Sequence, residues 1–285
     1  MIVVTGATGH LGRHVIDQLL QKVPASQVVA AVRSPDKAKD LAARGVQVRH
    51  ADYDQPATLE SAFQGAQQLL LISANEVGRR LPQHEAAVNA ARKVGVRLLA
   101  YTSVLHADTS GISLAAEHLG TEKAIRASGL PFVLLRNGWY LENYTENLGS
   151  ALQHGVLLGA ARDGRIAAAA RADYAAAAVA ALTTPGQEGK VHELAGDAPF
   201  TMSELAAEVA RQAGKPVAYK DLPEAEYEKA LQGFGLPGPV AQMLASADAG
   251  IARGELDDRS GQLHRLIGRA TTSLAQAVAA GLKRA

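Results

Sequence analysis

The chain has 285 residues, enough for one large α/β domain or for a medium-sized domain with a smaller one. It carries 29 lysines and arginines against 28 aspartates and glutamates, and this balance gives no electrostatic basis for nucleic-acid binding. The chain contains no cysteine, which excludes disulfides, thiolate metal sites and thiol nucleophiles.

The first half of the chain alternates short apolar segments with helical ones. The predicted strands are 2–5, 28–33, 46–50, 69–73, 96–103 and 132–136, and the predicted helices are 11–21, 35–43, 57–63, 82–94 and 114–128. Strands that are apolar on both faces and alternate with helices indicate a parallel sheet covered on each side. We therefore predict an α/β fold with a Rossmann-type, doubly wound parallel sheet.

The pattern changes after residue 136, where glycine and proline become frequent at 155–164 and 184–189. A strand is predicted at 191–195, and helices at 173–182, 202–213, 224–231 and 239–250. Thr201 and Glu204 have the spacing of a capping box at the start of the 202–213 helix. We expect domains at 1–135 and 136–285, the second smaller and mostly helical, with 165–195 returning to the first sheet.

The strongest motif is a glycine-rich turn between the first strand and the first helix. Three glycines are spaced G-x-x-G-x-x-G at positions 6, 9 and 12. In this context the first permits a tight turn, the second allows a pyrophosphate to approach the backbone, and the third lets the helix pack close to the strand. We predict dinucleotide binding by Gly6, Ala7, Thr8, Gly9, His10 and Leu11.

Arg33 stands at the end of the second predicted strand, where an NAD enzyme carries an acidic residue for the ribose 2′-hydroxyl. A guanidinium suits a 2′-phosphate through a bidentate contact. We therefore predict NADPH as the cofactor, with NADH binding more weakly; the alternative is a solvated arginine at a strand end.

Two further segments end predicted strands on the same side of the sheet. Ser73, Ala74 and Asn75 close the fourth strand, and their small side chains would let a cofactor lie flat. Asp52 and Tyr53 follow the third strand and suit a position beside the adenine, although a turn aspartate is an equal alternative.

Lys123 lies on the helix after the fifth strand, where short-chain dehydrogenases place a ribose-binding lysine four residues after a tyrosine acid. Position 119 is leucine, so that acid is missing, and a surface lysine is an equal alternative for Lys123. Quinone reduction yields a phenolate whose conjugate acid has a pKa near about 10, so it needs no strong donor. A cleft without this acid therefore favours quinones over simple ketones, and equally suits a protein that binds the dinucleotide without turnover.

Other reactive side chains give no comparable pattern. His10 and His14 have helical i, i+4 spacing, but no third ligand is evident, and we expect no metal. Ser103 lacks the glycine elbow of a hydrolase nucleophile.

The motifs together resemble the NmrA-like branch of the atypical short-chain dehydrogenases, including its bacterial quinone-reducing members. They are TGATGHLG at 5–12, ADY at 51–53, LLLISANEVG at 69–78, AYTSVLHADTS at 100–110, EHLGTEK at 117–123, LLRNGWYLENY at 134–144 and RADYAAA at 171–177. They keep their order over essentially the whole chain. The resemblance implies two-electron reduction of a small quinone by NADPH without flavin, in a cleft between two domains.

The resemblance also implies roles for single residues. Lys123 would lie near the nicotinamide ribose. The run of Asn137, Gly138, Trp139, Tyr140, Leu141, Glu142 and Asn143 would border the nicotinamide and the quinone. The residue types agree, since Tyr140 or Trp139 could stack on a flat quinone and Asn143 could hydrogen-bond its oxygen. The alternative for this run is an interdomain hinge whose aromatics belong to the core.

Two other functions remain open at this point: a redox-sensing regulator that binds NADP without turnover, and a reductase or epimerase of another small carbonyl compound. The start of the chain does not have the pattern of a signal peptide. The longest apolar stretch, 167–182, contains Arg171 and Asp173. We expect a cytoplasmic protein that neither enters a membrane nor binds nucleic acid, with no prediction of its oligomeric state.

Overall fold

The computed structural model describes residues 1–146 and 148–284, which form two compact units. The first unit contains Met1–Val104, Glu117–Asn137 and Arg171–His192. The second contains Leu105–Ala116, Gly138–Ala170 and Glu193–Ala285. Each unit is therefore built from three separate stretches of chain.

The first unit is built on a seven-stranded sheet. Its strands are β1 (Ile2–Thr5), β2 (Val28–Val32), β3 (Gln47–His50), β4 (Gln68–Leu71), β5 (Leu98–Val104), β6 (Phe132–Asn137) and β8 (Val191–Leu194). They lie in the order β3-β2-β1-β4-β5-β6-β8, and the pairings from β3 to β6 are parallel. Every residue of β1, β2 and β5 is buried, as expected for strands covered on both faces.

Helices cover the two faces of this sheet. They are α1 (His10–Leu19), α2 (Lys39–Ala43), α3 (Pro56–Phe63), α4 (Arg80–Lys93), α5 (Ser113–Ala127) and α8 (Arg171–Thr183), with a 3-10 turn at Pro35–Ala38 before α2. Alternate strand residues, among them Val3, Val29, Leu69, Leu99 and Leu134, form one cluster with α3 and α4. The residues between them point to the other face, where α1 contacts β1 and β2 and α8 contacts β4 to β6.

Helix α8 joins the first unit although it comes late in the chain. It packs along α1, and the side-chain amide of Gln18 donates to the carbonyl of Ala172 at 2.8 Å. At the other end of the helix, the amide of Gln68 donates to the carbonyl of Leu182. Both ends of α8 are therefore hydrogen-bonded within this unit.

The second unit is mostly helical. Its helices are α6 (Glu142–Thr145), α7 (Leu148–His154), α9 (Met202–Ala213), α10 (Glu224–Gly233), α11 (Gly238–Ala252), α12 (Gln262–Ile267) and α13 (Leu274–Leu282). A parallel two-stranded sheet joins β7 (Val156–Gly159) to β9 (Ala218–Asp221). Its core contains Leu141, Leu148, Phe200, Leu205 and Ile251.

The predicted fold class is confirmed: a parallel Rossmann-like sheet is followed by a mostly helical C-terminal part. Thr201 caps α9 by accepting from the Glu204 amide, while the Glu204 carboxylate accepts from the Thr201 amide, so the predicted capping box is present. The prediction did not include the strands β7 and β9 or the helices α6, α7, α12 and α13. The expected helix at 35–43 is divided, because its first turn is 3-10.

Candidate dinucleotide-binding site

The strand order places a topological switch point at β1. This strand pairs with β2 on one side and with β4 on the other, so the chain leaves β1 and β4 in opposite directions across the sheet. In open parallel sheets, ligands bind in the crevice outside the carboxyl ends of such strands. The glycine turn follows β1 directly, and Ser73, Ala74 and Asn75 follow the end of β4.

The glycine turn has the geometry that a phosphate cradle requires. Gly6 has a φ of +59°, which L side chains rarely adopt, and its carbonyl accepts from the Gly9 amide at 2.9 Å. A Cβ on Gly12 would lie 2.3 Å from the Gly6 carbonyl oxygen and 2.7 Å from the Cα of Ala7. The N-cap residue of α1 is Gly9, which has no side chain to cap the helix. The first amides of this helix are therefore available to an anion.

Backbone and side-chain hydrogen bonds fix the segment after β4. The Ser73 amide donates to the Thr102 hydroxyl at 2.9 Å. The peptide groups of Ala74 are held on both sides: its amide donates to His84 Nε2 at 2.9 Å, and its carbonyl accepts from Arg80 Nε at 2.6 Å. Because His84 and Arg80 both lie on α4, this helix orders the segment.

Tyr53 links the carboxyl ends of the two switch-point strands. Its hydroxyl lies 2.9 Å from the Thr5 hydroxyl and 3.1 Å from the Ile72 carbonyl, and burial raises the pKa of Tyr53 to about 12. Asp52 accepts from the Asp54 amide and the Gln55 side chain, so it is the turn aspartate that the sequence offered as an alternative.

Arg33 lies just beyond β2 with its side chain 70% exposed, and it is ion-paired to Glu76 at 3.1 Å. Glu76 belongs to the segment after β4, so the ends of β2 and β4 are connected through this pair. Arg33 is thus on the carboxyl side of the sheet, where the sequence placed it.

Lys123 is exposed on α5, and Leu119 precedes it by one helical turn. His118, the residue before Leu119, is buried: its Nδ1 lies 2.8 Å from the Tyr101 hydroxyl. Burial lowers the pKa of His118 well below its usual range and raises the pKa of Tyr101. Both rings therefore stay uncharged near neutral pH.

Asn137 ends β6 with only 4% of the residue exposed. Within the described part of the chain, neither its side-chain oxygen nor its nitrogen has a hydrogen-bond partner. A buried, unsatisfied amide costs about 1–3 kcal/mol. Asn137 is therefore a polar group at the carboxyl end of β6 whose burial no hydrogen bond of the described residues offsets.

The other residues of the predicted 137–143 run belong to the second unit. The Ala169 backbone amide donates to the Trp139 carbonyl at 3.1 Å, and the Ala169 carbonyl accepts from the Leu141 amide at 3.0 Å. Trp139 is buried in the core of that unit, Tyr140 is half-buried and Asn143 is exposed. The burial of Trp139 favours Tyr140 as the aromatic side chain that could contact a ligand.

Together, these features fit the adenine-phosphate half of a dinucleotide. The positive φ of Gly6, the close approach at Gly12, the uncapped α1 and the cationic Arg33 lie on one edge of one sheet. Among residues 1–146 and 148–284, no group of three or more histidine, aspartate or glutamate side chains could hold a metal ion. In the same ranges, no helix is long and apolar enough to cross a membrane.

Three polar contacts in this unit were not predicted from the sequence. They are the pairing of His84 with Ala74, the ion pairs around Glu76 and the buried ion pair of Glu122 with Arg136 at 2.8 Å. A signal existed for the first, since the polar Arg80 and His84 share the buried stripe of α4 with Val88 and Ala91. The pair of Glu76 with Arg79 has local i, i+3 spacing, whereas Glu76 with Arg33 and Glu122 with Arg136 join residues 43 and 14 positions apart, which periodicity does not reveal.

The chain is similar to known proteins over nearly its whole length. A model described as the NmrA-like family matches residues 1–274. Quinone oxidoreductase 2 of Escherichia coli K12 is 55% identical over 278 residues, covering 98% of this chain and 97% of that protein.

Two solved structures superpose closely on this chain. The NADPH complex of an NADPH-dependent quinone oxidoreductase from Escherichia coli does so with a TM-score of 0.96 at 55% identity, over 98% of this chain and 99% of that one. The NADP(H) complex of Citrobacter sp. triphenylmethane reductase does so with a TM-score of 0.95 at 39% identity, over 99% of this chain and 100% of that one.

Proposed function

The chain belongs to the NmrA-like family, and from that premise we propose that it is a quinone oxidoreductase that uses NADPH as its electron donor. The observation that carries the proposal is the agreement, over nearly the whole chain, with an Escherichia coli protein of that activity. The glycine turn and Arg33 support the cofactor half of the proposal independently, because they follow from this chain's own residues.

We assign the pyrophosphate to the backbone of residues 6–11 and the 2′-phosphate to Arg33, with residues 73–75 lying along the cofactor. Lys123 contacts the nicotinamide ribose, and residues 137–142 border the nicotinamide. In this proposal the cofactor domain is the first unit, Met1–Val104, Glu117–Asn137 and Arg171–His192.

The reaction is a two-electron transfer. When bound, the reduced nicotinamide supplies a hydride, and the products are NADP and a hydroquinone after one proton is taken up. The protein's part is to orient the two flat molecules. Tyr140 would stack on the quinone ring, and Asn143 would donate its amide to a quinone oxygen as negative charge develops there.

We further propose that no tyrosine acid takes part. Leu119 stands where that tyrosine would be, and the Tyr101 hydroxyl is bonded to His118 with its pKa raised by burial. The reduced quinone is a phenolate whose conjugate acid has a pKa near about 10, so water can protonate it after the hydride arrives. This chemistry suits quinones and does not suit simple ketones, whose alkoxides are far more basic.

The test is to mix the purified protein with NADPH and a small benzoquinone and to follow the absorbance of the reduced nicotinamide. We expect many turnovers per protein molecule above the uncatalysed rate. The protein's visible spectrum, recorded before and during turnover without added flavin, should show no flavin band. A flavin requirement would contradict direct transfer while leaving the quinone activity in place.

Tight NADPH binding without turnover across several quinones would contradict the proposed enzymatic activity. It would leave the alternative of a redox-sensing regulator that binds NADP without turnover. Asn143→Leu should lower kcat without changing NADPH affinity, because its amide is assigned to the quinone alone. Asn89→Leu, an exposed asparagine on α4, is the matched control and should leave both constants unchanged.

A further inference from the structure

Four charged side chains form a connected group at the carboxyl edge of the first unit's sheet. The Glu76 carboxylate lies between two arginines: Oε1 is 3.1 Å from Arg33 Nη1, and Oε2 is 3.2 Å from Arg79 Nη1. Nη2 of Arg79 is 3.0 Å from Oδ1 of Asp54. We infer that Arg33 and Arg79 together form the 2′-phosphate site, and that Glu76 occupies this site until NADPH displaces it. The inference rests on the proposed function, since it assumes that the cofactor is NADPH.

The first support is geometric. Two guanidinium groups that reach the two oxygens of one carboxylate are already spaced to hold a compact anion with several acceptor oxygens. A phosphate monoester has three such oxygens and carries a charge of about −1.5 to −2 at neutral pH. It can therefore accept from both arginines where Glu76 now does, and with more negative charge.

The second support is energetic. Arg33 and Arg79 are 70% and 61% exposed in their side chains, and ion pairs this exposed contribute little to stability. Displacing Glu76 therefore costs little. The carboxylate does not lose all its partners, because the Gln83 amide donates to Glu76 Oε2 at 3.2 Å and reaches Asp54 at 3.4 Å.

Each member of the group then has a distinct role. Arg33 and Arg79 contact the phosphate. Asp54 is a positioning residue, since it holds the outer side of the Arg79 guanidinium. Glu76 competes with the phosphate and lowers the affinity for NADPH without affecting that for NADH. This arrangement makes Glu76 and Arg79 determinants of cofactor specificity, in addition to Arg33.

The experiment measures dissociation constants for NADPH and NADH by calorimetry, with the whole protein and no quinone. Arg79→Gln should weaken the binding of NADPH about tenfold, because one charge-assisted contact is lost. It should weaken the binding of NADH less than about twofold. Glu76→Gln should act in the opposite direction and tighten NADPH about threefold, because an exposed competing ion pair is weak. In both variants, the dissociation constant of adenosine 2′,5′-bisphosphate should change in the same direction as that of NADPH. The dissociation constant of 5′-AMP should change as little as that of NADH.

The matched controls are Arg44→Gln and Asp17→Asn, which remove either end of a surface ion pair of similar exposure elsewhere on the unit. Neither variant should change the ratio of the dissociation constants for NADPH and NADH. If the group had a purely structural role, Glu76→Gln and Arg79→Gln would each weaken the binding of NADPH and of NADH. That result, or an unchanged ratio of the two dissociation constants, would overturn the inference.

Failure of the inference is distinguishable from failure of the proposed function. A wild-type protein that binds NADPH but reduces no quinone contradicts the function, and the affinity ratios of the variants still test the arginine pair. A wild-type protein that reduces quinones while Arg79→Gln leaves the ratio unchanged contradicts the inference alone. A wild-type protein that binds NADPH no better than NADH contradicts both.

Discussion

His84 Nε2 accepts the backbone amide of Ala74 at 2.9 Å, so a buried imidazole on α4 holds the segment that follows β4. Because Nε2 accepts, the ring proton is on Nδ1, which lies 2.9 Å from the Thr121 hydroxyl; that hydroxyl donates to the Glu117 carbonyl at 3.0 Å. The chain of donors and acceptors is complete only when His84 is neutral. Burial, and next the charge of Arg80, lowers the pKa of His84 to about 3.

Removing this imidazole should destabilise the protein and loosen the cofactor segment. His84→Ala leaves the Ala74 amide without its acceptor and opens a cavity, and we expect a loss of about 2–4 kcal/mol in the free energy of unfolding. His84→Gln can keep an acceptor near the amide and should lose less. Urea denaturation measures the stabilities, and calorimetry with NADPH should show weaker binding for His84→Ala than for His84→Gln.

The same residue should make stability depend on pH. The unfolded state takes up a proton near a pH of about 6.5, whereas folded His84 has a pKa of about 3. The unfolded state therefore binds more protons between these values, and the free energy of unfolding falls as the pH falls through this range. Between about pH 7 and pH 5 we expect the wild type to lose about 1–2 kcal/mol more than His84→Gln. His50→Gln, at an exposed histidine, is the control; equal losses in the wild type and His84→Gln would rule out a neutral buried His84.

Gly12 should not tolerate a methyl group. A Cβ there lies 2.3 Å from the Gly6 carbonyl oxygen, so Gly12→Ala must displace the turn. We expect a stability loss of about 1–3 kcal/mol and at least about tenfold weaker binding of both NADPH and NADH, measured by denaturation and calorimetry. The control is Gly149→Ala on α7, where the added Cβ meets no atom within 4 Å among the described residues beyond its chain neighbours and its own helix backbone. Normal binding by Gly12→Ala would show that the turn does not hold the pyrophosphate.

Local patterns predict some parts of this structure and not others. Apolar strands alternating with helices predict the parallel sheet, since both faces of each strand must be covered. The glycine turn is predictable because Gly6 and Gly12 meet local backbone requirements. In contrast, β9 reads as a loop because three of its four residues are exposed, and only its pairing with β7 makes it a strand. Likewise, the approach of Glu76 to Arg33 joins residues 43 positions apart in sequence, which no local pattern encodes.

Arg33 should determine the choice between cofactors. Arg33→Asp places a negative charge beside the 2′-phosphate, and we expect NADPH binding to weaken by at least about 1.5–3 kcal/mol, the value of one charge-assisted contact, with NADH changed far less. Calorimetry with both cofactors measures the difference. Lys93→Gln removes a cation of similar exposure that pairs with Glu60, and should change neither affinity. Equal losses for the two cofactors in Arg33→Asp would contradict the selector role.

Asn137 gives a test in which stability and binding should move in opposite directions. Its amide is buried without a hydrogen-bond partner in residues 1–146 and 148–284, so Asn137→Leu, a change of similar volume, removes an unsatisfied polar group. We expect the free energy of unfolding of the cofactor-free protein to rise by about 1–3 kcal/mol. Binding of NADPH and NADH should weaken to a similar extent, because the nicotinamide half is common to both.

Denaturation without cofactor and calorimetry with it measure the two effects separately. Asn137→Asp is the informative second variant, since an unpaired buried carboxylate should lower stability by several kcal/mol while the shape of the side chain is unchanged. If Asn137→Leu were less stable than the wild type and still bound both cofactors normally, the amide would be a structural group. The opposite pattern, a more stable protein with weaker binding, is expected of a residue kept polar for its ligand, because the cost of burying the amide is then recovered only in the complex.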